Sequence, residues 1–309
     1  MNDVFVLGSF VVDTAYRAAR LPSWGETLLG SSFALGPGGK GSNQAVAAAR
    51  AGAQVAFLTK IGLDPFGDIG RRLWTDEGID TGAILTSPMS TGSAAILLDE
   101  RTGANAIIVV PGVCGMLTVS EVEDAAPKIS TSRVFLAQLE VPLPAVQRGL
   151  EIARGAGVST VLNPAPAQVL TSELLGLVDF LIPNETEAAH LTGMPVNSDA
   201  ATAQAAHRLQ AMGAGQVILT LGERGAVLCH GDGALTPIPA VHYGPVLDTT
   251  GAGDSFSGAF AAALASGKQP VDAAHFAAAA AGISVTRAGT APAMAHRAEI
   301  DAALTRSPR

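Results

Sequence analysis

Asp248-Thr249-Thr250-Gly251-Ala252-Gly253-Asp254 is followed directly by Ser255-Phe256-Ser257-Gly258-Ala259-Phe260-Ala261, and the reading of the chain turns on this stretch. The glycines on either side of Ala252 put bare backbone N–H groups into a tight turn. The Ala-rich run after them predicts the first turns of a buried helix. A Gly-rich turn that opens a helix is an anion site, because unpaired N–H groups and the positive end of the helix dipole converge there. Asp254 stands at that point. A carboxylate beside a phosphate-binding turn is suited to taking the proton from a hydroxyl that attacks phosphorus. The same residues also fit a plain turn with Asp254 as its N-cap, and taken alone the stretch does not choose.

Working outward, short β-branched runs alternate with helical stretches. Strands are predicted at Val4–Leu7, Val55–Thr59, Val134–Leu139, Val158–Leu162, Phe180–Ile182, Gln216–Thr220 and Ala226–Cys229. Helices are predicted at Ser42–Arg50, Pro65–Glu77, Leu143–Gly155, Ala200–Met212, Asp254–Ala265 and Val271–Val285. Continuous apolar strands alternating with helices indicate an α/β fold, a mostly parallel sheet covered on both faces. Two regions break the rhythm. Residues 10–36 hold no convincing helix, and 91–110 read as a hairpin, Ala94–Leu98 and Ala106–Val110 around a turn at Asp99–Gly103. Both look like β excursions, either a lid over the sheet's C-terminal edge or an edge sheet for dimer contact, and the two uses are compatible.

The bulk numbers agree. With 309 residues, 48% hydrophobic and 15% charged, one large domain over 1–309 can bury a sizeable core. The net charge of −8 argues against general binding of nucleic acid or anionic membrane, while leaving room for a local basic pocket. Cys114 and Cys229 are far apart and form no metal-type spacing with the six histidines, so a structural zinc is not expected. Two buried free thiols in a reducing cytoplasm are. The N-terminus lacks the basic and apolar regions of a signal peptide. The Ala-rich stretches 259–265 and 273–285 are short, are separated by Lys268 and Asp272, and read as buried helices rather than membrane spans.

A second Gly-rich loop, Gly36-Pro37-Gly38-Gly39-Lys40-Gly41-Ser42-Asn43-Gln44, contains G-x-G-x-x-G. It is misplaced for a dinucleotide fingerprint, because it does not follow the first strand directly. That removes the support for a nicotinamide-dependent oxidoreductase. Nor is it a P-loop, since Lys40 is followed by Gly41 rather than Ser or Thr. Its glycines let backbone approach a small polar ligand, with Lys40 and Asn43 offering donors to hydroxyls. A Gly-rich helix entry with a solvated lysine is the plainer alternative.

Together the two loops resemble those of the ribokinase-like (PfkB) carbohydrate kinases. The likeness runs from about Val4 to about Leu304. It includes Gly8-Ser9 and Asp13, Gly38–Ala45, Gln138-Leu139-Glu140, Asn163-Pro164-Ala165-Pro166, Pro183–Glu187, Thr220–Gly225, the Asp248–Asp254 run and Val285–Gly289. The stretch 38–52 and the run 163–167 are most similar to the ribokinase branch. The resemblance implies a three-layer Rossmann-like fold with a small β-sheet lid formed by about 10–36 and 91–110. It implies ATP-dependent phosphorylation of a pentose's primary hydroxyl, above all D-ribose to D-ribose 5-phosphate, with 2-deoxyribose, a nucleoside or another sugar as alternatives. By the same likeness Asp254 is the general base, and the N–H groups of Gly251, Ala252 and Gly253 form the anion hole. Asp13, Gly39, Lys40, Asn43 and Glu140 line the sugar site. Asn184 and Glu187 organise Mg2+ partly through water, and Thr220, Gly222, Gly225 and Gly253 border the nucleotide. Asp248, with carbonyls of Thr250, Ser284, Arg287 and Gly289, matches a K+ site beside the anion hole. A homodimer through the β lid is expected, with no nucleic-acid or membrane partner. A non-catalytic sugar sensor would be expected to have lost Asp254 or its turn, and both are present.

Some positions depart from the family pattern. Val11 stands where an asparagine is common two residues before Asp13, and Pro111-Gly112-Val113-Cys114 is more apolar than the usual lid segment. A pocket that bonds a hydroxyl discriminates strongly, while an apolar one tolerates its loss, so a 2-deoxy sugar is a candidate acceptor. Ala278 takes a position near the adenine that is often Asn or His, and Ala293 replaces a common serine near the K+ site.

Overall fold

The computed structural model describes residues 2–306. Its centre is an eight-stranded sheet in the order Leu235–Ile238, Ala226–Cys229, Gln216–Thr220, Phe180–Leu181, Ser159–Leu162, Val134–Ala137, Val4–Leu7, Val55–Leu58. The last six in that order run parallel. Ala226–Cys229 and Leu235–Ile238 are added antiparallel at one edge.

Alternation along the strands builds the layers. Val4 and Val6 belong to a core shared with the helices Lys40–Arg50, Ala252–Ala265 and Pro270–Ser284. Phe5 and Leu7 belong to the opposite core, shared with Leu143–Gly155 and Asp199–Ala211. Side chains on successive residues leave opposite faces of a strand, so a strand with helices on both sides reads as continuously apolar. The Ala-rich helices are apolar all round because they are packed all round. Phe260 meets Phe180 edge to face at 5.3 Å. Truncating such a buried aromatic to alanine costs about 3–5 kcal/mol. Gly258 lies where Ala252–Ala265 crosses Lys40–Arg50, and a Cβ there would collide with the Gln44 carbonyl oxygen. Only a bare backbone lets the helices approach this closely, and the approach aligns Asp254 with Asn43 and Gln44.

A second sheet of four strands has the order Ser32–Gly38, Val11–Ala18, Thr91–Asp99, Asn105–Gly112. Both predicted excursions supply it, with longer arms than expected. At the hairpin tip the Asp99 carboxylate accepts the N–H groups of Arg101 and Thr102, at 2.9 and 3.1 Å.

The predicted strands of the main sheet and the predicted helices are present with ends within two residues of those expected. Helices at Glu185–Thr192 and Arg297–Arg306 and the strand Leu235–Ile238 add to those the sequence pattern predicts. Leu235–Ile238 carries one polar residue, Thr236, and a proline, and only Ile238 is buried, which masks its β character. Cys114 and Cys229 are free and buried. Among the described residues no helix is long and apolar enough to cross a membrane.

Candidate active site

The carboxyl ends of the parallel strands open on one edge of the sheet, where ligands of open α/β sheets collect. Asn163 directly follows Ser159–Leu162, Thr220 ends Gln216–Thr220, and Asn184 bridges to Thr220 alongside it. Glu140 lies three residues past Ala137. Asp13 sits inside the second sheet, on the strand Val11–Ala18, and not at an end of the main sheet as its place after Val4–Leu7 suggests.

Helix Ala252–Ala265 starts at Gly251, which caps it in the left-handed region at φ 78°. Asp254 is therefore in the first turn and is not the N-cap, which sets aside the plain-turn reading. Its carboxylate is 6% exposed and held from both sides. Asn43 Nδ2 donates to Oδ2 at 3.0 Å, and Gln44 Nε2 donates to Oδ1 at 2.9 Å. Burial pushes its pKa up; Lys40 and the two amides pull against that, and Glu140 adds to it. Ala252 N–H is spent on the turn itself, bonding Thr249 O at 3.2 Å. Among the described residues the N–H groups of Gly251 and Gly253 have no protein acceptor, as the first donors of a helix do not.

Asn43 spends one amide N–H on Asp254, and its Oδ1 is buried without a partner, so it presents an acceptor as well as its second N–H. Lys40 follows Gly39, the N-cap of its helix. Burial lowers the ammonium's pKa, but the carboxylates of Asp254, Glu140 and Glu187 outweigh it, and the value lies above that of an ordinary lysine. Lys40 is half-buried. Glu140 uses Oε2 to accept the Lys40 N–H at 2.9 Å and the Ser9 hydroxyl, a carboxylate at a helix N-terminus. The Asp13 carboxyl lies directly over Gly38, in the space a Cβ there would need. Burial, then the Glu140 charge, raises its pKa to about 6.

On the opposite side, Asn184 and Glu187 form a reciprocal capping box: Asn184 N–H donates to Glu187 Oε2 at 2.9 Å, and Glu187 N–H to Asn184 Oδ1 at 2.8 Å. Burial raises the Glu187 pKa, opposed by the Asn184 N–H and by Lys40. Gly222 and Gly225 bracket a 3-10 turn after Thr220. Asp248 accepts Thr250 N–H at 2.9 Å and Gly289 N–H at 3.0 Å, tying the turn before Asp254 to the loop after Ser284. The Ser284 carbonyl already accepts Arg287 N–H at 3.1 Å, and the Arg287 side chain bonds Glu299.

Gln44, Gln138 and Asn163 belong to the motifs quoted above, where nothing in the sequence gives them a role of their own. They form a buried amide chain behind Asp254. Thr290 lies outside every one of those motifs. Its hydroxyl donates to Pro37 O of the small sheet at 3.2 Å, and its side chain packs on Gly251. No spacing rule in the sequence points to it.

A family model described as pfkB family carbohydrate kinase matches residues 1–297. The chain is 39% identical over 295 residues to a ribokinase of Haemophilus influenzae, covering 95% of each. It is 37% identical over 260 residues to a deoxyribokinase of Salmonella typhi, covering 84% of each. The structure of Arabidopsis thaliana ribokinase complexed with ribose and ATP superposes with a TM-score of 0.94 at 30% identity, covering 99% of both chains. On these grounds the chain belongs to the pfkB family of carbohydrate kinases, phosphotransferases that act on an alcohol group.

Proposed function

We propose that this enzyme transfers the γ-phosphoryl group of ATP to the primary hydroxyl of a pentose, D-ribose first, giving D-ribose 5-phosphate. The observation that carries this reading is Asp254, held by two amides in the same first helical turn as the open N–H groups of Gly251 and Gly253. The Asp254 carboxylate takes the proton as the hydroxyl oxygen attacks phosphorus and the bond to the ADP oxygen breaks. The two N–H groups meet charge growing on the transferred group. Asp13, Glu140 and the free Oδ1 of Asn43 accept from sugar hydroxyls, with Gly39 allowing close approach, and Lys40 keeps the acidic cluster from repelling itself. Thr220, Gly222 and Gly225 border the nucleotide, and Ala278 leaves room for the base.

Asn184 and Glu187 suit Mg2+ held through water, since the capping box already occupies part of the carboxylate and Mg2+ gives up water reluctantly. Bound there, Mg2+ would neutralise phosphate charge. Asp248 with the carbonyls of Thr250, Ser284, Arg287 and Gly289 is a donor set of oxygen atoms suited to K+. The small sheet serves as a lid that excludes water, and as the face of a homodimer. Two buried free thiols fit a cytoplasmic enzyme.

A second acceptor, 2-deoxyribose, is favoured by Val11. It lies two residues before Asp13, on the same face of the strand. The test is ADP release with ATP, Mg2+ and K+ over ribose, 2-deoxyribose, fructose, arabinose, adenosine and pseudouridine. Ribose with kcat/KM above about 10⁴ M⁻¹s⁻¹ is expected. Turnover with none of the pentoses would overturn the reading.

A further inference from the structure

Behind Asp254 lies a chain of side-chain amides with no place in the chemistry so far. Gln44 is completely buried. Its Nε2 donates to Asp254 Oδ1 at 2.9 Å and to Asn163 Oδ1 at 3.1 Å. Its Oε1 accepts from Gln138 Nε2 at 2.6 Å. Asn163 in turn donates to Ile182 O at 2.8 Å. Turning the Gln44 amide over would set its oxygen against two acceptors, Asp254 Oδ1 and Asn163 Oδ1. It would also set its NH2 against the Gln138 NH2. The chain thus has one favourable direction, with its N–H ends aimed at the carboxylate. Gln138 Oε1, at the far end, is buried without a partner. A buried acceptor left unpaired is a cost that packing alone would have removed.

We propose that Gln44 is a positioning residue for the base, and that Gln138, from the strand end, fixes which end of the Gln44 amide Asp254 meets. This rests on the reading of Asp254 as the base. A carboxylate gripped at Oδ1 by Gln44 and at Oδ2 by Asn43 cannot rotate about its Cβ–Cγ bond, so the remaining lone pairs keep one aim. Donated N–H groups also favour the ionised form over the protonated one. The charged groups facing Asp254 are Lys40 from its helix, Glu140 from the loop beyond Ala137, and Glu187 from the helix Glu185–Thr192. Lys40 supports ionisation; the two acids oppose it. Gln44 supplies a second support that carries no charge of its own and does not compete with the phosphates for Lys40.

The test is the pH profile of kcat/KM and the separate kcat and KM values in Gln44→Met and Gln138→Met. Methionine is close to glutamine in length and lacks the amide. Losing a charge-assisted donor should move the acid limb of Gln44→Met up by about one pH unit. The deficit should be roughly tenfold on the acid side of the wild-type limb and shrink toward wild type on its alkaline side, with acceptor KM little changed. Gln138→Met, which leaves the Gln44 amide in place, should move the limb the same way by a smaller amount. If Gln44→Met does not fold, Gln138→Met carries the test. A loss independent of pH, or no loss in either variant, would overturn the proposal. Asp254→Asn run alongside separates the two claims: if it keeps full turnover, the reading of the base fails, whatever the amides do.

Discussion

The strands Val4–Leu7 and Asn105–Gly112 carry nearly the same kind of residue, and they live in opposite worlds. Val4, Phe5, Val6 and Leu7 are all fully buried, whereas Ile107, Ile108, Val109 and Val110 are 52–68% exposed. The first is covered by helices on both faces. The second forms an edge of the small sheet with no layer on either side. β-propensity makes a strand; the neighbouring layers decide whether it becomes core. Cross-strand neighbours share a face, so Val109 lies with Ala94 and Asp13, toward the acceptor side. Ile108 lies with Ala95, Thr14 and Leu35 on the far face. Chemistry is thus anchored in the rigid body. The small sheet has few buried contacts of its own and leaves apolar side chains exposed on both faces; we propose substrate as the cover of one face and a second copy as the cover of the other.

The sharpest way to break this contrast is to strike the body's site. Asp254→Asn should lower kcat by at least about 10²-fold, the usual scale for losing a general base, while leaving binding of sugar and ATP near normal. Steady-state kinetics with calorimetric binding checks it. Turnover close to wild type would move the proton acceptor elsewhere.

Asp13 probes the small sheet's contribution. With its pKa at about 6, it becomes protonated as pH falls through that value and loses acceptor capacity. Acceptor KM should rise below about pH 6, and Asp13→Asn should raise KM roughly tenfold at neutral pH and flatten that limb. The stability sign is opposite. A folded pKa above the unfolded value means the folded state binds more protons between pH 3.8 and about 6. Stability of the ligand-free protein therefore falls as pH rises across that window and stays lowered above it. Two units correspond to about 3 kcal/mol, reduced to roughly 1–2 by solvent reaching the group. Asp13→Asn should raise Tm at pH 7.5 and not at pH 4; a lower Tm at both would contradict the electrostatics.

Val11 tests whether the pocket's apolar wall sets the acceptor. Val11→Asn offers a new polar group on Asp13's face. It should raise the ribose over 2-deoxyribose ratio of kcat/KM several-fold, the scale of one hydrogen bond. An unchanged ratio would place the discrimination elsewhere.

Much of this was legible in the chain because its signals are local. A glycine turn before an Ala-rich run fixes where a helix begins, and apolar runs between helices fix a covered parallel sheet. What stayed hidden depends on partners far away in sequence. Nothing near Gln44 tells that it meets Gln138, 94 residues on, or Asp254, 210 residues on. The Ala252 N–H looks free in the sequence because a one-dimensional pattern does not show it folding back onto Thr249. Nor does the sequence tell that one amide N–H of Asn43 meets Asp254, 211 residues on. The sequence alone leaves Lys40 open between a donor to hydroxyls and a solvated side chain, because it does not show Asp254, Glu140 and Glu187 gathered around it.

The smallest effect on turnover should come from the far face of the small sheet, and that smallness is the point. Ile108 is 68% exposed in an edge strand, and such strands pair with other copies unless charge prevents it. On the same face stand Tyr16 and Phe33, their rings 5.1 Å apart and both exposed. Ile108→Lys places a charge where a second copy would have to dry the surface. Sedimentation should show a dimer for the wild type and a monomer for the variant. Because Ile108 points away from Asp13, ribose turnover at saturating substrate should change by less than about twofold, and stability of the monomer by about 0.5 kcal/mol at most. A wild type that is already monomeric would leave the apolar face without its proposed cover. A variant that dissociates and also loses most of its turnover would break the division drawn above, because the second copy would then be holding the acceptor face closed.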